Sequence, residues 1–171
     1  MSMLPLIRYP DAGATMAWRQ NAPIDARRFL DTAAALAATL PDSGHVINLC
    51  TDRFDFATGL AAALLRRQVS LLPPNDTPVM LLQLAERYPG AICLTDPGVT
   101  YPGIECIHVP APAPGGGSGP VPAFPDDQVA AIAFTSGSTG EPMPQVKTWG
   151  TLVRSVHGEG AALGIAALGG A

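Results

Sequence analysis

One stretch of the chain carries residue types and spacing suited to chemistry. The apolar run Val129-Ala130-Ala131-Ile132-Ala133 breaks into Phe134-Thr135-Ser136-Gly137-Ser138-Thr139-Gly140-Glu141-Pro142. An apolar run ending in alternating hydroxyl residues and glycines reads as a buried strand followed by a loop with exposed N–H groups. Gly137 and Gly140 lack a Cβ, so the backbone there can take positive φ and approach a ligand closely. Successive N–H groups then converge into a nest suited to phosphate oxygens. The hydroxyls of Thr135, Ser136, Ser138 and Thr139 rotate to meet those oxygens or a metal-bound water. Pro142 stiffens the exit of the loop.

Two common phosphate motifs do not fit. A Walker A loop requires G-x-x-x-x-G-K-[ST], but five positions after Gly137 stands Pro142. A dinucleotide fingerprint requires G-x-G-x-x-G, and Ser138-Thr139 leaves no glycine at its second place. What remains, T-S-G-S-T-G-x-P, resembles the phosphate loop of the AMP-forming adenylating enzymes: acyl-CoA synthetases, aryl ligases and peptide-synthetase adenylation domains. The family pattern continues Pro-Lys-Gly-Val, whereas this chain reads Pro142-Met143-Pro144-Gln145-Val146-Lys147. The nearest cation, Lys147, lies about 13 Å further along an extended segment.

The resemblance implies an α/β fold with a mostly parallel sheet and helices on both faces, an incomplete N-terminal portion of the adenylating-enzyme fold. It implies ATP as cofactor, its β- and γ-phosphates held by Thr135, Ser136, Gly137, Ser138, Thr139 and Gly140, with Lys147 as the available cation. It further implies a carboxylic acid substrate, an acyl-adenylate intermediate, and CoA or an acyl carrier protein as acceptor. The family's aromatic-Gly-x-Thr-Glu motif, whose Glu binds Mg²⁺, and its C-terminal catalytic Lys have no counterpart here. The Mg²⁺ ligand is therefore expected outside this chain, no residue of the chain is assigned a catalytic role, and the chain alone is expected to be inactive. A second reading, a non-catalytic nucleotide- or anion-binding module or partner subunit of the same descent, is favoured by Met143 and Pro144 in place of Lys and Gly.

The elements that must position the loop follow from periodicity. Apolar residues at three- and four-residue steps predict a helix from Asp25, its N-cap, to about Leu40. A strand, His45–Cys50, precedes a helix over Phe54–Gln68 capped by Thr51 or Asp52. Strand Val69–Leu72 precedes a helix over Pro78–Arg87, with Thr77 or Asp76 as cap and Pro78 in its first turn. Ala91–Leu94 and Glu105–Val109 read as further strands, Gln145–Lys147 as a brief one, and Thr148 as the cap of a helix running from Trp149 to about Ala162. Ala14–Trp18 reads as an edge segment with Trp18 an edge or core aromatic. Residues 1–109 thus form an α/β lobe, 110–127 an exposed Pro/Gly-rich connector, and 128–171 the strand, loop and following helix.

Composition sets the outer limits. With 47% hydrophobic and 14% charged residues the 171-residue chain is globular. A net charge of -4 gives no footprint for nucleic acid, and Arg27-Arg28 and Arg66-Arg67 read as solvated helix ends. Cys50, Cys93 and Cys106 have neither metal nor disulfide spacing and read as buried free thiols, and His45, His108 and His157 show no ligand spacing. No apolar run is long enough to span a membrane, no signal peptide begins the chain, and a cytoplasmic location is expected.

Overall fold

The computed structural model describes residues 2–9, 11, 13–136 and 142–162. Strand β1 (Met3–Pro5) leads into a hairpin, β2 (Thr15–Arg19) and β3 (Ala22–Asp25). Its turn residues Gln20 and Asn21 take φ of 50° and 62°, the left-handed values that a two-residue hairpin turn requires. The hairpin is a sheet of its own, and Trp18 is 71% exposed on it, neither in the core nor at the edge of the main sheet.

Asp25 ends β3 in extended backbone and accepts the Arg28 N–H at 2.7 Å, which starts α1 (Ala26–Thr39). After β4 (His45–Asn48), Asp52 accepts the N–H groups of Phe54 and Asp55 at 2.9 and 3.0 Å and starts α2 (Arg53–Leu65). This helix stops short of Gln68 because Arg67 turns left-handed, with φ of 56°. The Gln68 N–H then reaches back to the Ala63 carbonyl at 2.9 Å, a closing bond that ends helices. Strand β5 (Val69–Leu72) follows, then Thr77 as cap and Pro78 as first residue of α3 (Pro78–Arg87). The chain continues through β6 (Ile92–Thr95), β7 (Cys106–His108), β8 (Ala123–Pro125), β9 (Val129–Ser136), β10 (Pro142–Thr148) and α4 (Trp149–Ala162).

Six strands make the main sheet in the order β10-β9-β5-β4-β6-β7, parallel throughout except for β10, which runs antiparallel to β9. Side chains alternate between faces along a strand, and the core divides accordingly. Val46, Ile92 and Leu94 pack on one face against Leu36 and Ala37 of α1 and Ala62 and Ala63 of α2. Ile47, Leu71, Cys93 and Phe134 pack on the other against Met80, Leu81 and Leu84 of α3. Helices on both faces of a mostly parallel sheet are the arrangement expected from the sequence.

The Pro/Gly-rich stretch is more than a free connector. It leaves the β7 edge and is strapped across α1 on its way to β8. Arg28 donates to the Ala113 carbonyl (2.9 Å), Thr32 Oγ1 accepts the Ala113 N–H (2.8 Å), Asp31 accepts the Gly117 N–H (3.0 Å), and Arg27 donates to the Gly119 carbonyl (2.7 Å). Arg27 and Arg28, read as solvated helix ends, therefore hold the strap. A Cβ on Gly117 would meet the Asp31 carboxylate, which would have to swing aside and give up its bond from the Gly117 N–H. Phe124 is buried at the strap's end, edge-on to Trp149 at 6.0 Å, and Trp149 donates to the Leu4 carbonyl at 3.1 Å. These contacts fix the base of α4 beside β8 and β1. Cys50 and Cys93 are buried free thiols as expected, while Cys106 is only half-buried.

Candidate phosphate-binding site

Because β9 is parallel to β5, β4 and β6, the loop after Ser136 leaves from the edge where all these strands end. In open α/β sheets ligands bind outside that carboxyl edge. Thr135 lies near the end of β9, exposed, with its hydroxyl 3.5 Å from the Met143 carbonyl across the pair. Ser136 is paired with Pro142, so the strands hold the two ends of the loop side by side. The predicted ligand groups of Gly137, Ser138, Thr139 and Gly140 lie outside the described residues.

Lys147 is placed elsewhere. It is half-buried opposite Ala131, five residues along β10 from Pro142, about 17 Å at the advance of a strand. The structure thus does not bring Lys147 to Thr135. Met143, one residue after Pro142 on β10, stands opposite Thr135 and is 53% exposed.

A second group of polar residues sits on the same edge, two strands over. The chain moves from β4 to β5 on one side and then crosses to β6 on the other, so the crevice between the ends of β4 and β6 is the topological switch point. Asp96, just after β6, accepts the Thr51 N–H at 2.9 Å, the Thr51 hydroxyl, and the Asp52 N–H at 3.3 Å. Burial works against its charge, but these donors hold its carboxyl below the usual range. Asp55 is fully buried and takes a bidentate pair from Arg19, both bonds at 2.8 Å. Burial raises its pKa against the opposing pull of Arg19. Burial, followed by the charges of Asp96, Asp55 and Asp52, pushes the Cys50 thiol up to about 12.

These carboxylates are occupied with structural bonds. Asp52, one of the two caps expected from the sequence, caps α2; Asp96 ties the end of β6 to the end of β4; Asp55 and Arg19 pin the hairpin to α2. Among the described residues no set of three or more His, Cys, Asp or Glu side chains is placed to hold a metal ion. Asp96 was not singled out from sequence, since one aspartate after a short strand carries no pattern; its position after β6 at a switch point is the signal that marks it.

The architecture is a doubly wound α/β sheet with an antiparallel edge strand, and its hydroxyl- and glycine-rich loop emerges at the carboxyl edge. Solved structures of several ligases share that fold over part of their length. A malonyl-CoA ligase ternary product complex, with methylmalonyl-CoA and AMP bound, superposes with a TM-score of 0.72 at 21% identity, over 92% of this chain and 34% of that one. O-succinylbenzoate coenzyme A synthetase from Bacillus subtilis, in complex with AMP, gives 0.66 at 18% identity, over 86% and 42%. The N-terminal subdomain of NpsA from Klebsiella oxytoca, in complex with 3-hydroxybenzoyl-AMSN, gives 0.60 at 18% identity, over 80% and 37%. The chain thus spans about a third to two fifths of the length of these structures. No family model and no curated protein matches the sequence. No helix among the described residues is long and apolar enough to cross a membrane.

Proposed function

We propose that this chain supplies the ATP-phosphate cradle of a ligase that activates a carboxylic acid as its acyl-adenylate and passes the acyl group to the thiol of CoA or a carrier protein. The observation that carries this reading is T-S-G-S-T-G-x-P leaving the carboxyl edge of the sheet between two paired strands. Thr135, Ser136, Ser138 and Thr139 offer hydroxyls and the loop backbone offers N–H groups, all neutral donors suited to phosphate oxygens. In-line attack on the α-phosphate also requires charge neutralisation at the leaving pyrophosphate. The described residues provide neither a metal-holding set nor a cation beside Thr135. Mg²⁺ would supply that neutralisation when ATP is bound, with its protein ligand outside this chain. The role assigned to these residues is binding and orientation of the triphosphate; catalysis belongs to the whole ligase, at a cytoplasmic location.

The test is calorimetric titration of the 171-residue protein with ATP and with tripolyphosphate. A hydrogen bond to a charged group contributes about 1.5–3 kcal/mol. Ser138→Ala with Thr139→Ala is therefore expected to weaken binding at least about tenfold. Unchanged affinity would remove the loop from the site.

The register of Lys147 and the exposure of Met143 favour a second reading, a non-catalytic nucleotide- or anion-binding module or partner subunit. Under that reading the native protein binds ATP but shows no carboxylate-dependent pyrophosphate exchange, and its intact mass is 17.6 kDa. Met143→Lys restores a cation next to Thr135. It is expected to tighten tripolyphosphate about tenfold through one charge-assisted bond.

A further inference from the structure

Two of the three cysteines meet where the main sheet ends. Strands β6 and β7 are parallel, and Cys93 and Cys106 stand side by side in register. Both belong to the apolar face covered by α3, Cys93 fully buried and Cys106 half-buried at its margin. Cys50 packs in the cluster on the opposite face of the sheet, with α1 and α2. The pair is therefore separate from the third thiol.

Neighbouring strands lie about 4.8 Å apart, so the two Cα atoms fall inside the roughly 4.4–6.8 Å that a disulfide spans. Their Cβ atoms leave parallel strands in the same direction and stand about as far apart, slightly beyond the roughly 3.5–4.5 Å of a relaxed bridge. A bond formed here is under strain, and strain makes a disulfide easy to reduce. Strand β7 can supply the small approach, since it is three residues long and lies at the end of the sheet.

The two sulfurs differ in access. Cys93 is out of reach of solvent, and burial, followed by the charge of Cys106 and a hydrogen bond with it, drives its thiol above the usual range. It stays protonated and meets an oxidant only through its neighbour. Cys106 is the more accessible partner, and its sulfur takes part in a turn. Tyr101-Pro102-Gly103-Ile104 closes with the Ile104 N–H on the Tyr101 carbonyl at 3.4 Å, and Gly103 has the φ of 80° that such a Pro-Gly turn requires. The Cys106 Sγ accepts the Tyr101 N–H at 3.4 Å, and its S–H donates to the Ile104 carbonyl at 3.5 Å. The Tyr101 hydroxyl in turn donates to Asp76 at 2.8 Å, just ahead of α3.

We propose that Cys106 and Cys93 form a peroxide-sensitive dithiol, in which Cys106 is the site oxidised by a hydroperoxide and Cys93 resolves it into a reversible disulfide between β6 and β7. With hydrogen peroxide, the Cys106 sulfur attacks one peroxide oxygen; the S–O bond forms, the O–O bond breaks, and hydroxide leaves with the Cys106 proton as water. The Cys93 sulfur then attacks the Cys106 sulfur; the S–S bond forms, the S–O bond breaks, and the second hydroxide leaves with the Cys93 proton as water. The thiol pair gives up two electrons, the peroxide is reduced to two waters, and an added dithiol reverses the bridge. The bridge removes the S–H that serves the Ile104 carbonyl and draws the sulfur away from the Tyr101 N–H, so the turn loses two bonds. This pair is independent of ATP binding.

The test exposes the native protein, at dilution, to hydrogen peroxide and maps its cysteines by mass spectrometry. The expected product is lighter by two hydrogens, holds a Cys93–Cys106 disulfide with Cys50 still a thiol, and returns to free thiols with dithiothreitol. Cys93→Ala is expected to stop at a Cys106 sulfenic acid that dimedone traps, and Cys106→Ala to leave Cys93 a thiol. The unaltered protein makes the same point: brief alkylation should label Cys106 and spare the buried Cys50 and Cys93, and peroxide should then form no bridge. In the oxidised protein the Tyr101 amide should exchange with solvent several-fold faster. Unreacted thiols, a bridge through Cys50 or between two copies, or oxidation of Cys93 after Cys106 is alkylated would each overturn the proposal. Unchanged exchange at Tyr101 would overturn its link to the turn.

Discussion

Asp55 and Asp96 lie on the same edge of the sheet, yet their surroundings pull their ionisation in opposite directions. Asp96 is held below its usual pKa despite burial by the donors of Thr51 and Asp52, so its contribution to stability is complete above the unfolded value of about 3.9 and is lost as pH falls through the folded pKa. Asp55 is raised by burial, so its contribution is present below that value and is lost as pH rises through its folded pKa; at neutral pH its charge is tolerated because Arg19 is there. Carbon-detected NMR titration should show Asp96 losing its proton first and Asp55 later as pH rises. Arg19→Met leaves a buried carboxylate without its partner and should cost about 3 kcal/mol in urea unfolding at pH 7. The loss should shrink on acidification, as Asp55 becomes neutral; a deficit independent of pH would mean that Arg19 acts by packing alone.

At the scale of elements, caps made the fold readable. Asp25, Asp52 and Thr77 announce helix starts because a short oxygen-bearing side chain ahead of an apolar run has few other uses. Asp52→Ala should lower stability by about 1 kcal/mol. The hairpin was less legible: Pro23 reads as a break, and nothing in Gln20-Asn21 announces two left-handed residues. Strand β10 reads as three residues and extends over seven because Pro142 and Pro144 look like breakers away from their partner strand. The strap was read as a spacer because its bonds run from its own backbone to side chains of α1, which no local pattern reveals. The candidate loop was legible by composition, whereas the distance of Lys147 from it depends on pairing with β9. Gly150 is a case in which packing overrides propensity. A Cβ there would lie 2.7 Å from the Asp126 carbonyl oxygen, a backbone atom that cannot swing aside. Gly150→Ala, favourable in a free helix, should destabilise this protein by about 1–3 kcal/mol in thermal or urea unfolding.

For the whole molecule, charge sets the manner in which an anion is held. The chain carries a net charge of -4, and the carboxylates at the switch point lie two to three strands, about 10–14 Å, from the strand that leads into the loop. Salt at 0.15 M screens interactions over about 8 Å. A phosphate site built from cations loses affinity as salt rises; the proposed one, with neutral donors beside carboxylates, should hold or gain affinity for tripolyphosphate between low and physiological salt. A steep loss would point to a cation that the described residues do not place there. The last consequence belongs to Pro142 and Pro144. Proline is tolerated in a ladder only where its nitrogen faces away from the partner strand, so both nitrogens point to the free side of β10 and present no hydrogen there. An edge lacking two of its donors is a poor template for another strand. Even where no described strand covers it, this border is thus poorly suited to recruiting further copies of the chain into a growing β-ribbon.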